Sequence, residues 1–76
     1  MKSRQISQNP VLALPAVDRL RDLPPEVRSA VADILVDLGA DAAAKAEYSW
    51  RKNKGPMAAY WKAVGVYSRH IARAIR

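Results

Sequence analysis

Two short pieces of sequence, Leu23-Pro24-Pro25-Glu26 and Lys54-Gly55-Pro56, constrain this 76-residue chain more than any others. Proline is accepted in the first turn of a helix, where its missing N–H would lack a partner anyway, and Glu26 suits the positive end of a helix dipole. Each piece therefore closes one helix and opens the next. Pro15 can begin a further, short helix over 15–22. The polar opening MKSRQISQNPVLA has no sustained period and reads as a loose arm over residues 1–14, leaving 15–76 as a single small helical domain.

Between the two breaks, Val27, Ala30, Val31, Ile34, Leu35 and Leu38 recur at the spacing of one helical face. Beyond Gly39 that face would carry Asp41, Lys45 and Lys52, whereas Ala42, Ala46 and Trp50 line up about a quarter turn away. Either the helix kinks at Gly39, or it stops there and restarts with Asp41 as N-cap. The helix-prone run ADAAAKAEY favours a kinked, nearly continuous segment. It should end in RKNKGP, where basic groups suit the negative end of the dipole and Gly55 can take positive φ. The last helix places Met57, Tyr60, Trp61, Val64, Tyr67, Ser68, Ile71 and Ile75 on one face, with Lys62, Arg69, Arg73 and Arg76 opposite. The expected fold is an all-α helical hairpin. It has a short leading helix, a long kinked helix from about 25 to 53, a turn at 53–56 and a final helix over about 56–75.

A chain of this length buries only roughly 60% of its unfolded surface and is marginal alone. It has no cysteine for disulfides and no Cys/His cluster for zinc, so core burial must stabilise it. Phenylalanine is absent and alanine is abundant, which favours closely spaced helices over a thick core. Two helices do not consume this much apolar face, and a homodimer is expected to cover the strip that one copy leaves bare.

Residues 1–40 hold five basic and five acidic groups, and residues 41–76 hold eight and two, so the whole net charge of +6 lies in the second half. Such polarity suits an acidic partner, although a solvated basic face serves solubility equally well. No apolar run reaches the roughly 20 residues needed to span a bilayer. The opening lacks the features of a signal peptide, so the chain reads as cytoplasmic.

The residues for catalysis are scarce. His70 is the only histidine, and it flanks the apolar face of the last helix, where packing or hydrogen bonding is its natural role. No nucleophile–base set, paired carboxylates, metal-ligand cluster or Gly-rich phosphate loop can be assembled, so neither an enzyme nor a cofactor is expected.

Binding remains. Nucleic acid could be held by Arg69, Arg73 and Arg76 with Arg51, Lys52 and Lys54 on phosphates, and by a stacked Trp50 or Trp61. The basic face, however, lacks the Asn, Gln, Ser or Thr that read base edges, so such binding would be to backbone. A protein partner fits better, because Trp and Arg most often dominate interfaces and Trp50-Arg51 stand together at the corner, unless Trp50 caps the end of the core. Binding of the amphipathic basic helix to a membrane surface is the weakest reading, since its apolar face is needed to close the hairpin.

The run AEYSWRKNKGPMAAYWKAVGVYSRHIARAIR, preceded by LPPEVRSAVADILVDLGADA, resembles small helical proteins encoded by temperate phages and prophages of Gram-negative bacteria. The resemblance covers residues 23–76 and is most distinctive from Trp50-Arg51 to Trp61. It carries no site residue, but it implies a small accessory protein that inhibits or redirects a host protein. The expectation is thus a non-enzymatic regulator whose partner-binding residues are Trp50, Arg51, Lys54, Lys62, Arg69 and Arg73, with a backbone-reading nucleic-acid binder as the alternative.

Overall fold

The computed structural model describes residues 9–76, and within them the chain is all-α. A 3-10 turn, Pro10–Ala13, leads into three α-helices: α1 (Pro15–Arg21), α2 (Pro25–Arg51) and α3 (Gly55–Ile75). Pro15, Pro25 and Pro56 lie in the first turns of their helices, where a missing N–H costs nothing. Helices α2 and α3 pack antiparallel as the expected hairpin. Ordered structure begins ahead of residue 15: the 3-10 turn packs beside α3, and the Asn9 amide donates to the His70 ring. The rest of the expected arm, residues 1–8, lies outside the described residues.

The link between α1 and α2 is pinned by Arg28, whose guanidinium donates to the carbonyls of Arg21 (3.2 Å) and Leu23 (3.3 Å). At the other end, α2 closes in a hydrogen-bonded cap rather than at Gly55. The Lys54 N–H reaches the Ser49 carbonyl at 2.8 Å, and the Asn53 N–H reaches that of Trp50 at 3.0 Å. This is the pattern that satisfies the orphan carbonyls of a helix end, and it requires one left-handed residue. That residue is Asn53, at φ 60°; Gly55, expected there, has negative φ and opens α3. Asparagine tolerates this region better than other side chains.

Helix α2 runs through Gly39 without a break, and the change of stripe expected there does not occur. The buried line on α2 is instead Ala32, Leu35, Gly39, Ala42, Ala46 and Ser49, of which Leu35 and Ala46 are half-buried. Its counterpart on α3 is Ala58, Trp61, Gly65, Ser68, Ala72 and Ile75, with Trp61 half-buried. Both lines step by three and four residues alternately, the repeat of two helices winding about each other. The seam is therefore rotated by about one residue from the stripes of large apolar side chains. Met57, Tyr60 and Tyr67, expected inside, are exposed, as are Val27, Ile34 and Leu38.

Small side chains at the seam let the backbones come close. A β-carbon added to Gly39 would stand 3.3 Å from the Gly65 carbonyl oxygen, and one added to Gly65 would stand 3.2 Å from that of Gly39. Toward the open end Ala32, Ala72 and Ile75 form the core cluster, and Leu20 of α1 packs against it with Val31, Leu35 and Ile71. Val17 of α1 is buried nearby in sequence and anchors the same helix. Among the described residues no large side chain is completely enclosed, so the stabilisation comes from many close backbone contacts rather than a few bulky residues. Buried Ser68 donates to the Val64 carbonyl (2.7 Å), and no buried side-chain polar atom of the described residues lacks a partner.

Candidate partner-binding groove

A hairpin of two helices has two broad sides. Because α2 and α3 run antiparallel, a residue just after the seam on one helix shares a side with a residue just after the seam on the other. The ion pair between Asp33, which follows Ala32, and Arg76, which follows Ile75, joins the helices on that side. The same side carries Val36, Ala43 and Trp50 from α2, and Lys62, Val66 and Arg69 from α3.

Two adjoining hollows run along it. One is lined by Ala43, Ala46, Glu47, Trp50, Gly55, Ala58, Ala59 and Lys62. The next shares Ala43, Ala46 and Lys62 and continues past Gly65 and Val66 to Arg69. Together they form one groove with a floor of alanine and glycine. Trp50 closes it at the turn end, Lys62 and Arg69 stand on the α3 wall, and Glu47 stands on the α2 wall. Trp50 is 70% exposed, so it does not cap the core. Trp61 does contribute to the seam and meets the Tyr60 ring edge-on, centroids 4.9 Å apart at 75°.

Lys62, Arg69 and Glu47 make no ion pair among the described residues, so the charges of the groove are available to a ligand. The Arg69 stem lies across the helix crossing, with its Cγ 3.2 Å from where a Gly39 β-carbon would sit. Of the six residues singled out by sequence, the structure gathers Trp50, Lys62 and Arg69. Arg73 lies further round α3, beside Asn9, Leu12 and His70. Arg51 is exposed at the end of α2 and Lys54 in the turn, and neither lines the groove. The floor residues Ala43 and Ala46 were missed; the run of small residues over 42–46 of α2 is the signal that would have found them.

No group of His, Cys, Asp and Glu among the described residues could hold a metal ion. No described helix is long and apolar enough to cross a membrane. No known protein family, curated protein or solved structure matches the chain.

Proposed function

We propose that this is a non-enzymatic accessory protein, of temperate-phage or prophage type, that binds a larger host protein in the cytoplasm and modulates it. The reading rests on one observation: an exposed tryptophan at the end of an apolar, small-floored groove flanked by Lys62 and Arg69, which make no ion pair among the described residues. A floor of alanine and glycine admits a helix at short range, and the basic wall suits a partner helix with an acidic edge. Trp50 supplies the large, rigid contact that most often dominates such interfaces. Arg73, Arg51 and Lys54 lie outside the groove and steer the encounter. The acting form is a homodimer, so each assembly carries two grooves.

Nucleic acid is the less suited ligand, because the groove is mainly apolar and Glu47 would face the phosphates. The test is capture from bacterial lysate, with and without nuclease, by the wild type and by Trp50→Ala and Arg69→Glu variants. A stoichiometric protein that survives nuclease and is lost with both variants supports the reading. Captured material that vanishes with nuclease, or that is indifferent to Trp50, overturns it.

A further inference from the structure

On the other broad side lie the residues just before the seam: Val31, Ile34, Leu38, Asp41, Lys45 and Tyr48 of α2, and Met57, Tyr60, Val64, Tyr67 and Ile71 of α3. Val31 and Ile71 are half-buried, where Leu20 of α1 reaches the core cluster beside them. Beyond them, among the described residues, only the 3-10 turn comes near, beside Tyr67: Ile34 is 65% exposed and Tyr60 56%, and Leu38, Tyr48, Met57 and Tyr67 are exposed too. Exposed aromatic and aliphatic side chains in such continuity mark an interaction surface. The only charges among these eleven positions are Asp41 and Lys45, and neither makes an ion pair among the described residues.

We infer that this tyrosine-rich face is covered by a second copy of the chain, related by a two-fold axis that lies in the face and crosses both helices at the level of Ala43. This specifies the interface of the homodimer proposed above and is independent of what the Trp50 groove binds. Charge places the axis: Asp41 and Lys45, the two charged positions of the face, are centred on residue 43. An axis there lays α2 antiparallel on α2 of the second copy, so Asp41 of each copy meets Lys45 of the other, and the two opposite charges of the face pair twice. Leu38 then meets Tyr48 of the second copy.

Gly39 stands opposite Gly65, so residue 43 is level with Trp61, and the same axis sets Met57 against Val64 of the second copy and the two Tyr60 rings near each other. The opposite side suits a second copy less, because it carries two cations, Lys62 and Arg69, against the single acid Glu47, and stacking it on itself gathers like charge. The four-helix assembly buries the large side chains of this face and turns its two Trp50 grooves outward on opposite sides.

The test is a dilution series by analytical ultracentrifugation on the wild type, Asp41→Lys, Lys45→Asp and the double exchange, with helicity checked by circular dichroism. Each single variant should raise the dimer Kd by about tenfold or more, and the double exchange should restore it. Lys45→Asp is decisive, because it lowers the net charge and would strengthen a dimer governed only by overall repulsion. A wild type that stays monomeric into the millimolar range overturns both the homodimer and this interface. A dimer that is indifferent to the single variants, or not restored by the exchange, leaves the homodimer standing and overturns this interface.

Discussion

Gly39 of α2 and Gly65 of α3 stand face to face across the hairpin: a β-carbon added to Gly39 would lie 3.3 Å from the Gly65 carbonyl oxygen, and one added to Gly65 would lie 3.2 Å from that of Gly39. In an ordinary helix, replacing glycine by alanine stabilises by about 1 kcal/mol. Here the sign should reverse, because the obstacle is backbone and the helices must part. Gly65→Ala should destabilise by about 1–2 kcal/mol, and Gly39→Ala by somewhat less because one of its close neighbours is the flexible Arg69 stem. Gly55→Ala is the control: nothing lies within 4 Å of its added carbon, so it should be neutral or stabilising. Urea denaturation of the three variants measures the contrast.

The two tryptophans should separate stability from binding. Trp50→Ala removes an exposed ring and should change stability by less than about 0.5 kcal/mol while abolishing partner capture. Trp61→Ala opens a hole in the seam and should cost about 2–3 kcal/mol. Thermal melts and capture on the same samples read both. A Trp50→Ala protein that fails to fold would place that ring in the core after all.

Asn53 holds the left-handed position of the turn, at φ 60°. Asn53→Gly should be tolerated, whereas Asn53→Ala should cost about 1 kcal/mol, since an ordinary β-carbon is strained there. Equal stabilities of the two variants would show that the cap relaxes to another turn.

The Asp33–Arg76 ion pair joins α2 to the last residue of the described chain, but both side chains are more than half exposed. Pairs of this kind contribute little and are screened by salt. Asp33→Asn should shift stability by less than about 0.5 kcal/mol, and raising the salt should remove even that difference.

Much of the architecture was legible in the sequence because it rests on backbone chemistry. Pro25 and Pro56 mark helix starts whatever the tertiary contacts, and RKNKGP reads as a corner by its charges and its turn-forming residues. The rotation of the seam was not legible by hydropathy. Leu, Ile, Val, Met and Tyr dominate any apolar count, so they drew the expected faces onto Ile34, Leu38, Tyr60 and Tyr67. Ala32, Gly39, Ala58, Gly65 and Ala72 carry little hydropathic weight, yet close packing selects them because they let backbones approach. The supposed change of stripe at Gly39 has the same origin. The groove followed from that rotation: once the seam is placed correctly, Trp50, Lys62 and Arg69 fall on one side of it, and Arg51 and Lys54 do not.

The small-residue seam also inverts the usual logic of mutational mapping. Most proteins reveal their interiors when side chains are trimmed, because trimming leaves holes. In this hairpin much of the central line is already alanine, at Ala32, Ala42 and Ala46 facing Ala58 and Ala72, so an alanine scan has nothing to trim there and would register the line only where it adds a carbon, at Gly39 and Gly65. Away from Trp61, that line would announce itself in a scan that adds atoms, such as valine or leucine at each position. The most intolerant sites would then be the ones whose native residues look least important.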